Sequence, residues 1–453
     1  MADLKSIKNI KVKIEDSVDK KENKIRSKKL SSEIKIGKSI LELLTTAMYT
    51  SPLMIYREYI QNSVDSIELA KINNLYTSPN DEPRIDMLIN RQTRSVVIKD
   101  TGAAIKNTQF ENILTAFGDS PKRKTKARGF RGIGRLAGLA YCKELIFRSK
   151  ASDELFVNEL KWDCIKLREL LLDSDDDKTL NDIVQEITTV SALEYDPSQP
   201  DRFFEVHLNG IQPIKNDILL NVQLIENYIS QVCPVPFKNS FKYKNEILNW
   251  LKDSSYSDYQ IYLNNSDQHI TRPYLNDFNL SKDKKDNFSK IEFLDIKTNQ
   301  GDLLAKGYIL HHNYLGAVNN ANISGLRVRS GNIQVGDNDI FRSLFKQERF
   351  NSWCIGELHI ADDGIKPNGR RDGFEHNKKY YALLDYIQPV ATILSKIIED
   401  TSRDRNKLKA NNNIHEFISK KDKVISKIED LLTKNNVKPE VISKLVKYIK
   451  TDI

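Results

Sequence analysis

The stretch "SPLMIYREYIQNSVDSIELA", Ser51 to Ala70, reads as a helix with one anomaly. Tyr56, Ile60, Val64 and Ile67 recur at helical spacing, Ser51 offers an N-cap and Pro52 suits the first turn. Yet Glu58, Asn62 and Asp65 fall within about 60° of one another at 100° per residue, so they form one polar row. Met54, Ile55 and Leu69 project into the same sector, and a stripe facing water would not be flanked in this way. A carboxylate and an amide in apolar surroundings are costly unless something pairs with them. A ligand or a metal is the better account.

Working outward, "RIDMLINRQTRSVVIKDTG" alternates like a strand hairpin ending at Asp100. Gly102 follows, where backbone can approach a planar ligand closely. Next comes "GDSPKRKTKARGFRGIGRLAGLAYC", in which Gly129, Gly132 and Gly134 lead into an apolar, helix-like run. Such glycines let successive N–H groups converge on phosphate oxygens. The run lacks the GK[ST] of a P-loop, and it does not follow a first strand with an acid about 20 residues on, as a dinucleotide fold requires. Lys122, Arg123, Lys124, Lys126, Arg128 and Arg131 crowd this loop, which reads as a solvated loop or as a lid over phosphates. The segments "KELIFRSK", "LFVNELKW" and "RFFEVHLNG" read as further strands, so residues 31–210 are expected to form an α+β sandwich.

Residues 211–400 carry their own strand-like runs, "YQIYLN", "AKGYILHH", "GLRVRSG" and "WCIGELHI", and read as an α/β middle domain. Residues 401–453 show apolar spacings that fit two short amphipathic helices, a helical tail that packs on the body or meets a partner.

At 453 residues, the length suits two or three domains. No run of about 18 apolar residues could span a bilayer, and the charged N-terminus lacks an apolar signal-peptide core, so a cytoplasmic protein is expected. The four cysteines show no ligand spacing, which argues against a disulfide framework and a zinc site. Net charge is +8, and residues 1–30 alone hold ten Lys or Arg against five acids, a basic arm read as solvated and disordered rather than nucleic-acid binding.

Taken in order, "REYIQNSVDSI", "KDTGAAI" and "GFRGIGRLAGLAY" resemble the three nucleotide motifs of the GHKL ATPases, which include gyrase B, the ninety-kilodalton heat-shock chaperones, histidine kinases and MutL. The stretch from Ile40 to Ala70 is most similar to the chaperone branch. The resemblance implies a Bergerat-type sandwich that binds ATP and Mg2+. By motif position Glu58 would be the general base, Asn62 would coordinate magnesium, and Asp65 would support that helix face. Asp100 would accept from the adenine amino group, with Gly102 giving the base room. Gly129, Gly132, Ile133 and Gly134 would cradle the phosphates, with Lys122 a looser candidate for phosphate charge. In "DDGIKPNGRRDGFEHN", Arg371, with Arg370 as runner-up, is similar to an arginine that the chaperones' middle domain presents to the γ-phosphate.

Two departures stand out: Ala104 replaces the second glycine of the Asp-x-Gly-x-Gly motif, and "DRFFEVHLNG" has no threonine where the family uses one beside adenine. The seven histidines all lie at or after His207, so the histidine-kinase branch is set aside. The favoured function is a slow ATP-hydrolysing, chaperone-like machine acting on a protein client or partner, with homodimerisation through the tail as a further expectation. The alternatives are a DNA-transaction ATPase of the MutL or gyrase kind, and a low-turnover nucleotide-binding scaffold in a bacterial defence or stress assembly.

Overall fold

The computed structural model describes residues 51–78, 81–116, 134–173, 178–281 apart from 253 and 255, and 284–452, all within the compact unit Lys38–Ile453. The basic arm and the segment containing Lys122, Gly129, Gly132 and Ile133 lie outside these residues.

Helix α1 spans Met54–Ile72 and is buried along most of its length, including Tyr56, Tyr59, Ile60, Val64 and Ile67. Burying each such side chain is worth about 1.5–3 kcal/mol. Its start differs from the expected cap. The N–H groups of Met54, Ile55 and Tyr56 donate to the carbonyls of Ser51, Pro52 and Leu53, so a tight backbone turn precedes the helix and no side chain caps it. At the far end Asn74 takes a left-handed conformation, φ 53°, and turns the chain away.

The helix lies against a seven-stranded sheet. The hairpin of β1 (Ile85–Asn90) and β2 (Ser95–Asp100) pairs Ile85 with Asp100 and Asn90 with Ser95. Helix α2 (Asn107–Thr115) and a 3-10 helix at Gly134–Ala140 follow, then β3 (Glu144–Lys150) and β4 (Phe156–Asp163). After α3 (Cys164–Leu172) and α4 (Leu180–Ile187) come β5 (Thr188–Glu194) and β6 (Phe203–Asn209), then α5 (Val222–Val232) and α6 (Lys244–Leu251). The strand order is β5-β4-β3-β6-β2-β1-β7. The last member, β7 (Ile261–Leu263), belongs to "YQIYLN", which the sequence assigns to the second region; it lies parallel to β1 and closes the first sheet. Only three residues long, it has too little pattern to reveal its partner. The same core also takes Ile225, Ile229, Tyr259 and Ile270.

A second sheet has the order β10-β11-β14-β12-β13 and is built from β10 (Lys290–Lys297), β11 (Leu303–His311), β12 (Gly325–Ser330), β13 (Ile333–Val335) and β14 (Ile355–Ile360). A small hairpin, β8 (Asp277–Ser281) with β9 (Lys284–Asn287), precedes it. Where the two sheets' cores meet, a buried charge network ties them. Arg272 and Arg329 both reach the carboxylate of Glu357, Arg329 through Nε at 2.9 Å. Tyr274 donates to the second carboxylate oxygen at 3.0 Å, and Arg329 donates to the carbonyl of Gln231 in α5 at 2.6 Å.

The tail is not two short helices. Helix α7 runs unbroken from Lys378 to Lys434, with Asn377 capping it, and α8 (Pro439–Asp452) folds back. Leu383, Ile387, Ala391, Leu394 and Ile398 bury the first part of α7 in the second core. Beyond them Leu408, Phe417, Val424 and Leu431 are exposed, while Ile425 and, from α8, Val446 are buried. No glycine interrupts α7, and Pro389 sits at an exposed position, so the helix continues past the body that starts it.

Candidate functional site

The polar row of α1 runs between two built ends. At the first end Glu58 is almost wholly buried, its side chain 9% exposed, and its Oε1 receives two cations. Arg57 Nη2 donates to it at 3.1 Å, and Arg371 Nε lies 3.4 Å away. Arg57 also reaches the carbonyl of Arg370 at 3.4 Å, so the Arg370–Arg371 turn is gripped from the base of the row. The turn itself is shaped by Asn368, whose side chain bonds Asp372 and whose carbonyl accepts from Arg371 N–H. Arg371 has φ 57°, a left-handed conformation that is costly for a non-glycine residue.

The other carboxylate oxygen faces the end of the glycine-rich segment. A Cβ placed on Gly134 would sit 2.3 Å from Glu58 Oε2, so only a glycine allows this approach. The 3-10 helix that begins there is fixed to the next residue of α1, because the N–H of Gly138 donates to Tyr59 Oη at 2.8 Å. Thus Glu58, Gly134 and the Arg370–Arg371 turn, from three distant stretches of chain, come together.

The second end lies two turns along, near Ser66, about 12 Å further at 1.5 Å per residue. Asp100, buried at the tip of β2, accepts from the N–H of Gly102 at 2.9 Å, and the N–H of Ala103 donates to the carbonyl of Ser66 at 3.0 Å. A Cβ at Gly102 would meet Ser66 Oγ at 2.1 Å and its backbone carbon at 2.6 Å, so the glycine lets the turn seat on α1. Ala104, where the motif has its second glycine, is held at φ 58°.

Asn62 lies between the two ends, half-buried, and Asp65 is buried beside it. Leu69, expected to flank the row, is 49% exposed. Lys122, Gly129, Gly132 and Ile133 lie outside the described residues. Two residues the sequence reading missed take part. Arg57 was hidden among buried neighbours, with only its place beside Glu58 as a signal, and Arg202 sat in a segment searched for a threonine.

The field of Arg57 reaches α5. Burial pushes the Cys233 thiol up to about 12, with Arg57 and Arg329 pulling it the other way, so this cysteine is an inert thiol. Among the described residues no three His, Cys, Asp or Glu side chains gather as a metal cage. The row fits magnesium in a different manner: a hard cation that keeps waters and substrate oxygens needs only one or two protein oxygens, and the half-buried Asn62 amide would be the one to offer such an oxygen. Clefts beside Trp353 and Glu399 and beside Phe278 and Asn320 lie away from this row.

Residues 50–190 match the family model described as "Histidine kinase-, DNA gyrase B-, and HSP90-like ATPase". Residues 50–190 are a GHKL-type ATPase domain, near the HSP90 branch. The GHKL segment contains Glu58, Asp100 and Gly134, whereas Arg371 comes from far outside it. A curated relative is the "Chaperone protein HtpG" of Sulfurimonas denitrificans, 28% identical over 92 residues. That match covers 19% of this chain and 14% of the relative's length. Among the described residues no helix is long and apolar enough to cross a membrane.

Proposed function

We propose that the protein binds ATP along the polar row of α1, hydrolyses it, and uses the cycle to act on a protein partner. The observation that carries this reading is the position of the Glu58 carboxylate, between Gly134 on one side and Arg371 on the other. Asp100 at the far end would receive the base, and the residues around Gly134 the phosphates. Magnesium, when bound at Asn62, supplies charge neutralisation for the phosphate oxygens.

Glu58 would take the proton of the attacking water. With two guanidinium groups at Oε1, the carboxylate is held in one orientation, and Oε2 is the oxygen that faces the glycine-rich segment. Arg371 is near enough to follow charge that develops on a transferring phosphoryl group, and such a cation lowers the barrier most when it is prepositioned. Because Arg371 is supplied by the turn beyond β14, its seating couples catalysis to the second sheet. Domain closure of this kind makes turnover slow.

The protein partner is supported by the likeness to HtpG and by the apolar side chains left exposed along α7 and α8. A cytoplasmic setting and self-association through the tail belong to the same reading. The test is phosphate release by the full chain. Glu58→Gln should retain binding of magnesium-ATP in calorimetry while hydrolysis falls about 10²–10⁴-fold. Unchanged phosphate release would remove Glu58 from the mechanism.

A further inference from the structure

Arg202 lies just before β6, 4% exposed, and its guanidinium is spent on backbone. Nε donates to the carbonyl of Gly102, Nη2 to that of Thr101 at 3.1 Å, and Nη1 to that of Leu75 at 3.1 Å. Both terminal nitrogens also grip Asp81 at 3.2 Å. The ring of Tyr76 lies over the guanidinium, 5.0 Å from its centroid, and the phenol donates to the Thr101 carbonyl at 3.1 Å. Burial, with Asp100 and Asp81 adding to it and Arg202 opposing, pushes that phenol up to about 12, so it remains a donor.

These bonds converge on one short segment. Thr101 and Gly102 directly follow Asp100, and the Gly102 N–H is what orients the Asp100 carboxylate. The Gly102 N–H shares its rigid peptide plane with the Thr101 carbonyl, so the bonds from Arg202 and Tyr76 to that carbonyl fix the direction of the N–H. A buried guanidinium is expensive unless nearly all its donors are used. Here the planar fork reaches three carbonyls and a carboxylate at once, which a lysine or a neutral amide cannot do. Ala104 keeps its left-handed turn two residues on, a conformation that persists only where the surroundings over-determine it.

We propose that Arg202 is a positioning residue for base recognition. It locks the Thr101–Gly102 backbone so that Asp100 presents its carboxylate to the purine of the nucleotide, and it plays no part at the phosphate end. The inference rests on the nucleotide reading of the same row.

The test compares the full-length protein with Arg202→Met, Arg202→Lys and Asp81→Asn. Magnesium-ATP and magnesium-tripolyphosphate, which has no base, are titrated by calorimetry, and KM and kcat for ATP are read separately. Arg202→Met should weaken ATP binding and raise KM at least tenfold, while tripolyphosphate affinity and kcat change less than threefold. Arg202→Lys should recover part of the loss. If Arg202→Met does not fold, Asp81→Asn should show the same split in smaller measure. Equal weakening of both ligands, a fall in kcat at constant KM, or no effect on either ligand would overturn the role of Arg202. A wild-type protein that binds neither ligand would instead overturn the nucleotide reading, and this inference with it.

Discussion

Arg371 Nε stands 3.4 Å from Glu58 Oε1, although more than three hundred residues separate the two along the chain. The contact joins the turn beyond the second sheet to the helix that carries the proposed base, so substitutions at either end should be non-additive. Arg371→Ala is expected to lower kcat about 10²–10³-fold. Added to Glu58→Ala, it should cost little more. Single-turnover phosphate release from the four proteins of this cycle gives the answer, and full additivity would mean that the two side chains act separately.

Gly134 and Gly102 are both crowded, but by different atoms, and the difference predicts opposite phenotypes. At Gly134 a Cβ meets the far end of the Glu58 side chain, which can swing aside. Gly134→Ala should keep its melting temperature while turnover falls roughly tenfold to a hundredfold, since the base is displaced by about an ångström. At Gly102 the Cβ meets the backbone of Ser66, which cannot move without disturbing α1. Gly102→Ala should cost about 1–3 kcal/mol in urea unfolding. A Gly134→Ala protein as unstable as Gly102→Ala would contradict the distinction.

Glu357 is the shared counter-charge of two buried guanidinium groups, those of Arg272 and Arg329. The two cations hold its carboxyl well below the usual carboxylate range against the opposing effect of burial. Glu357→Gln would leave both cations uncompensated, a loss of about 3–5 kcal/mol. Denaturant midpoints read that cost, and a wild-type midpoint in the variant would show that the network contributes nothing net.

Burial lowers His359 to about 4, although Glu357 at 3.3 Å favours its charged form. The folded-state value lies below the ordinary 6.5, so the unfolded chain binds the proton more readily. The stability this residue contributes is therefore complete above pH 6.5 and drains away as pH falls through about 4. Urea midpoints between pH 7.5 and 4.5 should decline in the wild type and decline less in His359→Gln. Parallel slopes would exclude His359 as the source.

Helix α1, the β1–β2 hairpin and the strands around Phe147, Trp162 and Val206 were legible, because each repeats an apolar period over enough residues to be unambiguous. The row Glu58, Asn62 and Asp65 was legible as a conflict between polarity and surroundings. What was not legible depends on partners remote in sequence. Ile261–Leu263 looks like any short apolar run until β1 is placed beside it, and α7 gives no local sign that its second half leaves the body. Arg57 and Arg202 carry no periodic signal at all, since their importance comes from carbonyls and carboxylates that only the folded chain brings within reach. The close packing of Gly102 on Ser66 of α1 likewise depends on a neighbour that the local sequence does not name.

The pairing of β7 with β1 also governs how the protein can be divided. A fragment ending soon after Asn209 would leave the backbone donors and acceptors of Ile85–Met87 without their neighbour. It would also uncover the apolar surface that Ile225, Ile229 and Tyr259 fill. Such an open edge is a template for another chain. Shortened pieces of the ATPase half should therefore aggregate unless they extend through Ile270, and proteolysis of the intact protein should yield no stable product cut between those points.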